Sequence, residues 1–120
     1  MGIERRRFER VRLPIPLKFQ FTRERITWWY DGLLLDISLG GMRFSTEESI
    51  PIGTELQFEL AVPIRNDAYR FRGQTVWVRE AKTAVEYGVE LVDVTRDQEN
   101  ELNELVRFLS APSAGTPNDE

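Results

Sequence analysis

Residues 55–62, Glu-Leu-Gln-Phe-Glu-Leu-Ala-Val, decide the fold class. Apolar side chains stand at every second position from Leu56 to Val62, and polar side chains fill the positions between them as far as Glu59. This period of two predicts a strand with one face in a core and the other in water. The stretch therefore indicates a sheet protein.

The same alternation extends outward from this stretch in both directions. Further strand-like segments cover residues 15–21, 26–30, 33–37, 42–45, 69–78 and 85–91. In residues 69–78 the apolar side chains stand at odd positions before Gly73, as Tyr69 and Phe71, and at even positions after it, as Val76 and Val78. This change predicts a bulge near Gly73. Gly88, inside the last strand-like segment, indicates a close approach of another group to the backbone.

A single helix is expected after the strands. Thr95 and Gln98 have the spacing of a capping box, which marks a helix start. The apolar residues that follow have the spacing of one helical stripe, and they are Leu102, Leu105, Val106 and Leu109. We therefore predict an all-β fold, a small six-stranded antiparallel β-barrel with a C-terminal α-helix that covers an open end.

The length of 120 residues suits one domain. Residues 1–13 are expected to form a flexible basic arm, residues 14–110 the barrel and helix, and residues 111–120 a disordered tail. No apolar run approaches the roughly 20 residues of a membrane-spanning helix, and the charged start lacks the apolar core of a signal peptide. We expect a soluble cytoplasmic protein without membrane insertion.

Histidine and cysteine are both absent. Their absence excludes disulfides, thiolate chemistry, catalytic triads that use histidine, and zinc sites built from Cys and His. We therefore expect no enzymatic activity, no metal site and no cofactor.

Charge is distributed unevenly along the chain. The net charge is −4, yet residues 1–12 hold five arginines against two glutamates, net +3, while residues 93–120 hold seven acids against two arginines, net −5. An acidic protein suits long DNA or RNA poorly, because nucleic-acid affinity comes from many phosphate contacts. A compact anion needs only a local basic patch, so we expect a small anionic ligand and no DNA or RNA partner.

Two short motifs carry the binding chemistry. Arg6 and Arg10 lie four residues apart, and each guanidinium is a planar fork that matches phosphate oxygens or a guanine edge. Asp36 and Ser38 lie two residues apart, so both side chains leave an extended backbone on one face. The paired glycines that follow permit a tight reversal and a close approach.

These motifs resemble those of the PilZ domain, the bacterial receptor module for cyclic di-GMP. Arg6 and Arg10 fit its R-x-x-x-R motif. Arg5 directly precedes Arg6 and gives the pair of arginines with which the family motif often begins. The second family motif, [D/N]-x-S-x-x-G, is met by Asp36, Ser38 and Gly41. The resemblance covers residues 4–110.

The resemblance implies a PilZ-type barrel whose basic arm folds over cyclic di-GMP. Its ligand-binding residues would be Arg5, Arg6, Arg10, Asp36, Ser38, Gly40 and Gly41. The arginines would contact phosphates and guanine acceptors, while the ionised carboxylate of Asp36 would accept from the N1 and N2 donors of guanine. Ligand binding would then change the surface shown to a protein partner in control of motility, attachment or exopolysaccharide production.

Several alternatives remain open from the sequence. The Asp36–Gly41 stretch is also compatible with a plain turn in which Asp36 and Ser38 bond backbone amides. A PilZ-fold adaptor that binds protein partners and no nucleotide is a second function, and a barrel that stacks single-stranded nucleic acid on Trp28, Trp29, Tyr30 and Trp77 is a third. Asp31-Gly32 fits either a hairpin turn or a bulge in one long strand from Ile26 to Ile37, and the resemblance favours the long strand.

Overall fold

The computed structural model describes residues 15–63 and 66–110. Its elements, in chain order, are β1 (Ile15–Arg23), β2 (Ile26–Ile37), β3 (Gly41–Thr46), β4 (Glu55–Leu60), β5 (Tyr69–Glu80), β6 (Val85–Val92) and α1 (Arg96–Ser110). All strand pairs are antiparallel, and the six strands form a closed barrel in the order β1-β2-β3-β6-β5-β4. The predicted six-stranded barrel with a C-terminal helix is confirmed.

The alternation in the sequence sets which side chains enter the barrel. In β1 the odd positions from Ile15 to Phe21 are buried, and in β4 Leu56, Phe58 and Leu60 are buried. Phe19 is fully buried, and its ring centroid lies 5.0 Å from that of Phe44. The barrel interior is thus filled by interlocking aromatic and aliphatic side chains, which leaves its outer face for ligands.

Helix α1 adds the rest of the core. Its capping box is formed as predicted: the Thr95 hydroxyl accepts from the Gln98 amide at 3.1 Å, and the Gln98 side chain accepts from the Thr95 amide at 3.1 Å. Leu102, Leu105 and Leu109 are buried in the same apolar cluster as the strands, and Val106 packs against it. The apolar stripe of the helix therefore faces the barrel.

Two bulges adjust the barrel, and neither lies where the sequence indicated. Asp31 and Gly32 pair with Lys18 and Leu17 in unbroken register, so they form neither a hairpin turn nor a bulge within the long strand β2. The bulge of β2 lies at Leu35, between the paired residues Leu34 and Asp36. The bulge expected near Gly73 lies instead at Val76, between Thr75 and Trp77.

Gly73 has a different role from the one predicted for it. A Cβ there would lie 2.4 Å from Val89 Cγ1 and 3.1 Å from the Glu90 carbonyl oxygen, so this inward position has no room for a side chain. The pairing still changes parity across the bulge, because Thr75 pairs with the buried Val89 and Val78 pairs with the buried Tyr87. Val78 itself is 46% exposed.

The β1–β2 hairpin turns on two residues without glycine. Arg23 pairs with Ile26, and the two residues between them, Glu24 and Arg25, have φ of 54° and 70°. Both values are those of a type I′ turn, in which Asn-Gly is strongly preferred. Within the described part of the chain, neither side chain makes a hydrogen bond or ion pair that offsets the strain.

No helix in residues 15–63 and 66–110 has the length and apolar character required to cross a membrane.

Replacing Glu24-Arg25 by Asn-Gly should stabilise the fold by about 1 kcal/mol, because the left-handed conformation then costs less. The midpoint of urea unfolding should rise accordingly. Replacing the same two residues by Ala-Ala removes the charges but keeps the Cβ atoms, so this control should give no such gain. A midpoint that rises equally in both variants would assign the effect to charge.

Candidate functional site

A row of side chains crosses four strands on the outer face of the barrel. Asp36 of β2 pairs with Arg43 of β3, Arg43 pairs with Gly88 of β6, and Gly88 pairs with Trp77 of β5. Because directly paired residues project to the same face, the four positions form one continuous line. The line lies in a groove of about 420 Å³ whose wall also includes Ser38.

Trp77 lies flat over the sheet because Gly88 has no side chain. A Cβ built on Gly88 would lie 2.0 Å from Trp77 Nε1 and 2.1 Å from Cε2, so the indole occupies the space that any other residue would fill. The close approach predicted at Gly88 is therefore that of an indole ring. Trp77 remains 42% exposed, which leaves a ring face available at the groove.

Asp36 stands at the other end of the row. Its carboxylate forms an ion pair with Arg43, whose Nε lies 3.1 Å from Oδ2, and its side chain is 44% exposed. The plain-turn alternative expected this carboxylate to bond backbone amides, and that expectation is wrong. Asp36 is thus an acceptor at the groove wall, held by a side chain of the next strand.

The turn between β2 and β3 carries the rest of the motif. The Ser38 amide donates to the Gly41 carbonyl at 2.8 Å, and the Ser38 hydroxyl lies 3.4 Å from the same oxygen. The second contact is long and weak, so the hydroxyl is available to a ligand. The carbonyl of Gly40 accepts from the Leu91 amide at 3.2 Å, which ties the turn to β6.

The two glycines of the turn have unequal roles. Neither has φ in the left-handed region, so the reversal does not require glycine for its backbone angles. A Cβ on Gly41 would lie 2.5 Å from the Val89 carbonyl oxygen, whereas a Cβ on Gly40 meets no atom within 4 Å. Gly41 therefore permits close contact of β3 with β6, and Gly40 leaves open space beside the groove.

The remaining predicted site residues, Arg5, Arg6 and Arg10, lie outside the described residues. The structure thus brings together Asp36, Ser38, Gly40 and Gly41 at one groove. Within the described part of this groove the cation Arg43 is already paired with carboxylates, and Glu90 adds a further negative charge to the wall.

The family profile of the PilZ domain matches residues 4–108. The chain belongs to the PilZ domain family. Its PilZ fold is similar to that of the PilZ domain of YcgR from Escherichia coli, in a structure with c-di-GMP, at 21% identity and a TM-score of 0.67 over 84% of this chain and 86% of that one. No curated protein matched the sequence.

Two further solved structures share the PilZ fold. The PilZ domain of CeSA from a cellulose-synthesizing bacterium is 15% identical, with a TM-score of 0.63 over 85% of this chain and 98% of that one. The Inhibitor of motility (MotI/DgrA) of Bacillus subtilis is also 15% identical, with a TM-score of 0.61. The match covers 82% of this chain and 49% of that protein.

Sequence reasoning missed Arg43 as a residue of this PilZ groove, and it named Trp77 only as a possible stacking group for single-stranded nucleic acid. The glycine at 88 carried a usable signal, because a glycine inside a strand indicates a close neighbour on an adjacent strand. The register of β5 against β6 was needed to name that neighbour, and the bulge at Val76 could not be placed from the sequence.

The tryptophans of β2 do not join the groove. Trp28 and Trp29 are 64% and 45% exposed, and neither lines the groove that holds Asp36 and Trp77. As consecutive strand residues they project to opposite faces, and Tyr30 packs against the core. The three aromatics therefore do not form a shared stacking surface for a nucleic acid.

Gly41→Ala should destabilise the protein by about 1–3 kcal/mol, because the new methyl group would separate β3 from β6. Gly40→Ala is the matched control and should change the free energy of unfolding by less than about 0.5 kcal/mol. Urea unfolding of both variants measures the difference. Equal losses would contradict the unequal roles of the two glycines.

Proposed function

We propose that this PilZ domain is a receptor for cyclic di-GMP that makes and breaks no covalent bond. The observation that carries the proposal is the row in which an acidic acceptor, Asp36, and an exposed ring, Trp77, stand at the two ends of one groove. A guanine base offers both a donor edge and an aromatic face, so it suits the two ends together.

The described groove supports recognition of bases better than of phosphates. Asp36 is an acceptor for the N1 and N2 donors of guanine, and the indole of Trp77 offers a stacking surface worth about 1–3 kcal/mol for a base. Ser38 can donate its hydroxyl to a phosphate or base acceptor, and Gly40 keeps the approach open.

The phosphates require cations from elsewhere in the chain. Because Arg43 is paired with Asp36 and Glu86, the described groove holds no unpaired cation for a ligand with two negative charges. The arginine motif precedes β1, and β1 begins at Ile15 opposite Leu34, two residues from Asp36. Arg10 lies five residues before Ile15, so the chain between them can reach at most about 17 Å.

The proposed response is a conformational one. Arg6 and Arg10, with Arg5 as a further phosphate contact, close over the nucleotide and change the surface next to the groove. A protein partner that binds only one of the two arrangements then senses the ligand. A folded protein without affinity for cyclic di-GMP would instead favour the adaptor function.

Arg6→Ala, Arg10→Ala and Asp36→Ala should each weaken binding of cyclic di-GMP by about tenfold to more than a hundredfold, because each removes a charge-assisted hydrogen bond. Titration calorimetry measures the affinity and the ligand stoichiometry. Arg7→Ala is the matched control, since it removes the same charge from the same arm outside the motif. Wild-type affinity in all three motif variants would reject the site.

Trp77→Ala should weaken binding by about fivefold to a hundredfold and should remove most of the ligand-induced change in tryptophan fluorescence, because the stacking ring is lost. Trp28→Ala is the control, since Trp28 is exposed on the β1–β2 hairpin and does not line the groove. If the fluorescence change disappears only in the Trp28 variant, the nucleotide binds at the hairpin instead.

A further inference from the structure

Arg43 holds Asp36 by one oxygen only. Its Nε and one terminal nitrogen each lie 3.1 Å from Oδ2 of Asp36. Among the residues that the structure describes, none bonds to Oδ1 of the same carboxylate. The carboxylate is therefore fixed through Oδ2 while Oδ1 keeps its full capacity to accept hydrogen bonds.

Arg43 is in turn held from its other side. Its Nη1 lies 3.2 Å from Oε1 of Glu86, and the same oxygen lies 2.7 Å from Nη2 of Arg79. The Glu86 side chain is 17% exposed, so this carboxylate has lost much of its water and is fixed by two guanidiniums. The ion pairs form a chain from β2 through β3 and β6 to β5.

We propose that Arg43 is a positioning residue for nucleotide recognition: it orients Asp36 so that Oδ1 accepts from the donor edge of guanine, and Glu86 keeps Arg43 in place. This inference rests on the proposed function and adds to it a reason why the groove prefers guanine. Adenine lacks the donors at N1 and N2, so an oriented acceptor discriminates against it. A carboxylate free to rotate would lose part of that preference, because ordering it would then oppose binding.

Electrostatics and positioning predict opposite effects when Glu86 is neutralised. The ligand is an anion, so removal of a nearby negative charge should strengthen its binding if charge alone matters. If Glu86 acts by holding Arg43, its removal frees the guanidinium and weakens binding. The two explanations therefore differ in sign.

Glu90 provides the matched comparison. It lines the groove, it is exposed, and within residues 15–63 and 66–110 it makes no side-chain hydrogen bond or ion pair. Glu90→Gln thus removes the same charge as Glu86→Gln without releasing Arg43. Arg43→Lys is a second variant, which keeps the positive charge but loses the planar fork.

The experiment is calorimetric titration of the full chain with cyclic di-GMP and with cyclic di-AMP at one salt concentration. Glu86→Gln and Arg43→Lys should each weaken binding of cyclic di-GMP by about fivefold to tenfold, the loss of roughly one hydrogen bond, with no comparable loss for cyclic di-AMP. Glu90→Gln should bind cyclic di-GMP as tightly as the wild type or more tightly. Urea unfolding identifies whether Glu86→Gln or Arg43→Lys has lost its fold. If one of them has, the affinity of the other variant tests the positioning role.

Two outcomes would overturn the inference. If Glu86→Gln binds cyclic di-GMP as tightly as Glu90→Gln, and Arg43→Lys matches the wild type, Arg43 does not position Asp36 although the receptor function stands. If the wild-type chain itself binds no cyclic di-GMP, the proposed function fails and the positioning role fails with it.

Discussion

Closure of the sheet is the constraint on which the rest of the structure depends. β1 pairs with β2 over nine residues and with β4 over only three, from Lys18 to Gln20, so the β1–β4 seam is the shortest ladder of the barrel. At its centre Phe19 pairs with Phe58, and both side chains are buried. Each strand has a paired neighbour on both sides, so the barrel has no unpaired edge strand, and the proposed recognition uses side chains of the outer face.

The shape of that outer face depends on the absence of a side chain at Gly88. Gly88 stands between Arg43 and Trp77 in the cross-strand row, and the indole occupies the space of its absent side chain. A flat aromatic surface on β5 and an acidic acceptor on β2 are thereby placed on one outer face, with β3 and β6 between them. Rigid strands position groups more accurately than loops do, which favours selective recognition of a base.

Much of the fold could be predicted from the sequence, because alternation, the capping box and the helical stripe are local signals. The buried odd positions of β1 and the cap at Thr95 were read from spacing alone. The bulges at Leu35 and Val76 could not be read, because both depend on register between strands distant in the chain. For the same reason the motif identified Asp36 and Ser38, whereas Arg43 and Trp77 required the pairing of four strands.

Both ends of the cross-strand row follow immediately after an extra residue in a strand. Leu35 precedes Asp36, and Val76 precedes Trp77. In a regular ladder, successive side chains alternate between faces, so with Leu34 and Thr75 inward the carboxylate and the indole would both point into the barrel. Asp36 and Trp77 thus lie on the outer face because β2 and β5 each contain one extra residue. Deletion of either extra residue would turn the side chain that follows it into the barrel, so the proposed site depends on the length of these strands as well as on their side chains.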